Sequence, residues 1–214
     1  DGSIHKGMSF SGWAKADGLP FDLPSNVEAP SIPKFTYAGR WDRTEGLFAQ
    51  LNQLGLSWPQ ASAPPLDIEL AVNTTEGVTA RIRQLDVTAW GQAFEALNIS
   101  GPASGIYASL KPRGLLSNIG ITLTTPDEGY FKAQADVAEG AVDSWQGAPE
   151  IRHASGFVEL SAKQGRMVVA SNEGFVMHYP KIYKTPLRFD QAAGEVAWFL
   201  DLPQKMVYFT SGLL

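Results

Sequence analysis

Short runs of alternating apolar and polar residues, each ended by Gly, Pro, Asn or Asp, repeat along most of this chain. In LDIELAV, residues 66–72, Leu66, Ile68, Leu70 and Val72 fall on one side and Asp67 and Glu69 on the other. An extended strand points successive side chains to opposite faces, so this run predicts a half-buried strand. GVTARIRQLDV, residues 77–87, repeats the pattern with Val78, Ala80 and Ile82 inward and the arginines of RIR outward. Similar runs occupy 118–125, 130–137, 156–162, 166–171, 175–179, 186–192, 195–200 and 205–210. A chain that reverses this often predicts a mainly β fold, a mostly antiparallel sheet joined by turns.

Two stretches leave that period. DVTAWGQAFEALN, residues 86–98, sets Trp90, Phe94 and Leu97 at i, i+4 and i+7, the spacing of a helical face, with Asp86 or Thr88 placed to cap the first turn. A second short helix is predicted over 105–111, where Ile106 pairs with Leu110 and Pro112 sets the end. Residues 46–58 fit both periods: Leu47, Leu51 and Leu54 suit a helix, while LGLSW alternates. Residues 1–60 are proline-rich and read as strand and connecting structure at an edge. QASAPPL, residues 60–66, is the best linker candidate. The strand beyond it needs partners, so 1–60 and 61–214 are expected to form one continuous structure.

Composition narrows the chemistry. Hydrophobic residues at 44% and charged residues at 18% describe a chain able to bury a core. The net charge of −5, with its lysines and arginines scattered, leaves no basic footprint for nucleic acid. With Cys 0, disulfides, thiolate metal sites and cysteine nucleophiles are excluded. His5, His153 and His178 lack a second ligand at metal-binding spacing, and no G-x-S-x-G, GxxxxGK[ST] or GxGxxG motif is present. Asp67 with Glu69, and Asp42 with Glu45, read as solvated faces, although an acid pair brought together only in space would leave no sequence trace. The expectation is a non-enzyme with no cofactor and no metal. No apolar run reaches the length of a membrane-spanning helix. The chain begins Asp-Gly-Ser and is expected to be a piece of a longer protein, any anchor lying outside it.

The late strands carry a different signal. Met167 and Val169, then Phe175, Met177 and Tyr179, then Val196, Trp198 and Leu200 line one side, yet Val168, Val176, Ala197 and Phe199 lie on the other. A sheet with one wet face alternates more cleanly. Two explanations stand: a second layer packed as a sandwich, or a curved sheet whose inner face is an apolar trough for acyl chains.

Several spaced residues in the second half form a pattern of their own. Leu110, Pro112, Gly114 and Leu116 give an L-x-P-x-G turn; Gly156, Val158, Leu160, Gly165, Met167, Val169 and Ser171 form a G-x-L-x-L hairpin; Pro180, Ile182, Tyr183, Pro186 and Leu187 precede a closing Gly194, Val196 and Trp198. This order over roughly residues 83 to 214 resembles YhdP-type proteins of the AsmA-like, TamB-related group, with Tyr183 where a Phe is usual. The resemblance implies a periplasmic segment of a bridge-like protein, anchored in the inner membrane of a Gram-negative cell, that moves or shields phospholipids on the way to the outer membrane in a hydrophobic β-groove. Its implied partners are phospholipid acyl chains and neighbouring segments of the full-length protein, with membrane contact through parts outside this chain. The groove lining expected here is Val158, Leu160, Met167, Val169, Phe175, Met177, Tyr179, Leu187, Phe189, Val196, Trp198 and Val207. A carbohydrate-binding or hydrolytic β-sandwich and a purely structural envelope spacer are the alternatives.

Overall fold

The computed structural model describes residues 7–17, 30–58, 62–73, 77–96, 107–124, 131–145, 148–172, 174–201 and 206–212, the side chains of 92–96, 200, 201, 206, 207 and 209 excepted. Among the described residues, thirteen strands form a single antiparallel sheet: β1 (Met8–Ala16), β2 (Ile32–Asp42), β3 (Gly46–Ser57), β4 (Ser62–Asn73), β5 (Gly77–Asp86), β6 (Arg113–Leu123), β7 (Phe131–Val142), β8 (Glu150–Ser161), β9 (Gln164–Ser171), β10 (Phe175–His178), β11 (Leu187–Phe189), β12 (Ala192–Asp201) and β13 (Met206–Gly212). Helix α1 (Val87–Ala96) interrupts the series between β5 and β6. The path is a meander in sequence order, with β10 and β11 off it. Both β9 and β10 pair with β8, and β11 and β12 pair with β10 and β9 respectively, so each couple is one long strand broken by a kink.

Residues 1–60 contribute full-length strands, and β3 pairs with β4 across the proline-rich linker. The ambiguous 46–58 segment is strand throughout. Its helix-like spacing has a local cause: Gln53 has φ 60°, and the register slips between Leu51 and Leu54. One extra residue in a β-bulge lets Leu51 and Leu54 face the same way, which imitates i, i+3. The predicted helix at 86–98 is α1, which starts one residue later; residues 97–98 lie outside the described residues, as does the side chain of Phe94. Asp86 Oδ1 accepts a hydrogen bond from the Ala89 N–H at 3.0 Å, the N-cap geometry expected. Of the second predicted helix, residues 107–110 are helical and 105–106 lie outside the described residues.

The same three-residue interval recurs from strand to strand, with register shifts in β6, β7 and β8. Leu85 follows Ile82, Ile119 follows Leu116, Gly140 follows Val137 and Ala154 follows Ile151, each after three positions on one face. Asn118, Glu139 and His153 within these intervals have φ of 52°, 55° and 56°. The line continues through the breaks at 172–174 and 190–191, which the Gly174 N–H spans by donating to Asp190 O at 3.3 Å. Each bulge bends its own strand and adds twist, so in neighbouring strands they crease the sheet along a diagonal.

The core sits in that crease. Trp90 of α1 is buried with Ala63 and Leu66, against Leu56, Trp58, Ile68, Ile82 and Leu85. Its indole N–H donates to Pro64 O at 3.1 Å. A second cluster joins Ala154, Phe175 and Ala192 to Ile151, Met167, Val169 and Met177. In both, residues from the two sides of the crease meet, which makes the apolar face the concave one. The strand ends at Ala16, Asp86, Val142 and His178 stand on one rim of the sheet, where the turn 179–186 lies, and short turns such as 43–45 and 162–163 stand on the other.

Candidate functional site

Strand register assembles an apolar surface that no single strand contains. Trp41, Leu47, Val72, Val78, Leu123 and Phe131 stand opposite one another from β2 to β7. Tyr37, Leu51, Ile68, Ile82 and Ile119 form a second row, nearer the crease. Beyond the bulge, Val158, Met167 and Val196 align across β8, β9 and β12, beside a row of Ala133, Leu160, Gly165 and Trp198. A Cβ on Gly165 would stand 2.4 Å from the Trp198 ring, so the indole occupies the space that the missing side chain leaves. Ten spacings of about 4.8 Å separate the eleven strands of the main path, giving this surface a span of about 48 Å across the strands.

The opposite face is mostly polar, with Trp13, Val168, Phe199 and Tyr208 as exposed apolar exceptions. Gln50, Glu69 and Arg81 align across β3 to β5, and Thr79, Thr122, Lys132 and Ser161 across β5 to β8. Glu159 takes Lys132 Nζ at 2.8 Å and Arg166 Nη2 at 3.4 Å. The Lys132 hydrogen bond, with the two cations' charge, holds the Glu159 carboxyl below the ordinary glutamate range despite some desolvation. A depression of about 400 Å³ over Gly120 also lies on this side, ringed by Asp67, Glu69, Arg81, Arg83 and Gln134. Its mixed charges compensate one another, and Ile68, Ile82 and Ile119 of the second apolar row complete its lining.

The expected lining residues divide by position. Val158, Leu160, Met167, Val169, Val196 and Trp198 share the concave face, by register. Phe175 and Met177 join it through the buried cluster, and Phe189 and Leu187 oppose them in β11. Tyr179 lies just past β10, its ring edge-on to Tyr183 at 6.4 Å. The Val207 side chain is outside the described set. The sequence reading left out the whole first half of the surface, from Tyr37 to Ile121. Its signal was present in the alternation of β4 and β5, but only register joins those strands to the late ones.

The late strands' second apolar side is only partly covered among the described residues: Val176 is buried, but Val168 is 37% exposed and Phe199 45%, so most of this side faces solvent and no second layer packs along it. The concave face is itself open over much of its length. Met8, Trp41, Val72, Leu123 and Phe189 are among the exposed large hydrophobics, and the buried hydrophobics among the described residues, apart from Leu66, Trp90, Ile119, Phe175 and Val176, are alanines and Pro30. A folded chain rarely leaves so continuous an apolar surface facing water without a partner to cover it.

The two described histidines sit in local polar contacts, and His5 lies outside the described residues. His153 Nδ1 pairs with Glu139 Oε2 at 2.6 Å, joining the bulges of two neighbouring strands. His178 Nε2 lies 3.1 Å from Tyr183 O, and its Nδ1 3.7 Å from Glu150. Among the described residues, no group of three or more His, Cys, Asp or Glu is placed to hold a metal ion.

A family model described as YhdP protein matches residues 2–211. The chain belongs to the YhdP family. The match takes in residues 1–60 almost entirely, where the motifs quoted above covered only the second half. No curated protein and no solved structure matches the chain significantly. Among the described residues no helix is long and apolar enough to cross a membrane.

Proposed function

We propose that this YhdP-family chain is a segment of an envelope protein that carries or shields phospholipids, their acyl chains lying in the creased apolar trough. The observation that supports this reading is the open, register-aligned apolar face running across the strands. Each methylene moved from water onto such a surface gains about 0.8 kcal/mol, so a trough lined without polar interruption holds a chain that water rejects. Headgroups stay in solvent along the open side. The segment works by non-covalent binding, between the inner and outer membranes, with neighbouring segments of the full-length protein continuing the trough.

Native mass spectrometry of protein released gently from membranes, paired with lipid extraction, tests this. The expected result is phospholipid in near-stoichiometric amount. Protein that carries no lipid, and takes none up from mixed vesicles, overturns it.

A further inference from the structure

The turn joining β10 to β11, residues 179–186, stands on the rim where β10 ends and is built for contact with something outside the chain. Ile182 is 70% exposed and Tyr183 44%, an unusual display of apolar surface at a turn. The turn is nonetheless held in shape. Tyr179 O accepts hydrogen bonds from the N–H groups of Ile182 at 2.9 Å and Tyr183 at 2.8 Å, His178 Nε2 lies against Tyr183 O, and Pro180 and Pro186 bracket it. Lys181 and Lys184 flank the apolar tip, both exposed and neither in an ion pair with a described carboxylate. From Gly174 to Phe189 the chain has Lys181, Lys184 and Arg188 and no Asp or Glu, although the net charge of the whole is −5.

We infer that this turn docks the rim on an anionic phospholipid bilayer, Ile182 and Tyr183 entering the interface and the two lysines meeting headgroup phosphates. Apolar side chains between cations match the layering of a membrane surface, where hydrocarbon lies just beneath a plane of negative charge. A rigid turn loses little conformational freedom on binding, which favours a shallow contact. The inference concerns the rim and does not depend on the trough being loaded.

Flotation of the 214-residue chain with vesicles of phosphatidylcholine, alone or mixed with phosphatidylglycerol, tests it. Binding to the mixed vesicles is expected, weakening as salt is added. Lys181→Ala with Lys184→Ala should weaken it about fivefold per lysine. Ile182→Asp should weaken it with both lysines in place, while Lys163→Ala, on the opposite rim, should leave it unchanged. Circular dichroism of each variant shows that the fold is retained. Absence of flotation with the mixed vesicles, or equal flotation of wild type and the double lysine variant, overturns the docking. Either result leaves the trough reading standing if phospholipid still co-purifies.

Discussion

Gly156 holds β8 against β9 with φ 149°, and a Cβ there would stand 1.9 Å from Val168 O. Neither backbone can yield without parting the ladder. Gly156→Ala should therefore cost about 1–3 kcal/mol, read as a lower urea midpoint with unchanged slope. Glu159 is a residue-scale case of the other kind, an exposed carboxylate on the outer face. Its folded-state pKa lies below the unfolded one, so its contribution to stability is present above the ordinary glutamate range and lost as pH falls through the folded value. Lys132→Ala should move the Glu159 midpoint up toward that ordinary range in a carboxyl NMR titration. An unmoved midpoint would mean that the Lys132 hydrogen bond is not the main cause.

Between strands, the determining feature is the bulge. Most strands were legible because alternation needs only one face wet, and β4 with its Asp67 and Glu69 is the clearest. The crease was not, because a three-residue interval between apolar positions reads as a helix when met alone. Leu51 to Leu54 misled in that way, although the same interval in Ile82 to Leu85 and Leu116 to Ile119 is the sequence trace of the crease once the strands are aligned. Helix α1 was legible from Trp90 and its cap, but its role was not: it packs Trp90 into the crease. Trp90→Ala removes that ring and its hydrogen bond to Pro64 O, and should cost about 3 kcal/mol. Hydrogen exchange in α1 should then accelerate well ahead of exchange in β7 and β8. Equal acceleration in both regions would mean that the helix is not anchored independently of the sheet.

At the scale of the whole molecule, the sheet does without a conventional core. Its buried residues lie along the crease, and the rest of the concave face waits for a cover that the described chain does not supply. The two-sided apolar strands of the sequence suggested a trough or a sandwich equally. The arrangement observed is one open, curved layer, with Val168 and Phe199 left on the wet side. Only long-range pairing distinguishes these outcomes, and no local pattern records it.

Photocrosslinking along neighbouring strands tests the central claim most directly. A diazirine residue is placed in turn at Leu70, Ile121, Val158 and Met167 on the concave face, and at Glu69, Thr122, Glu159 and Arg166 on the outer face, in cells making the full-length protein. The trough predicts phospholipid adducts from the first four and none from the second, alternating residue by residue along each strand. Adducts from both faces alike, or from neither while the protein is folded and in place, would contradict it.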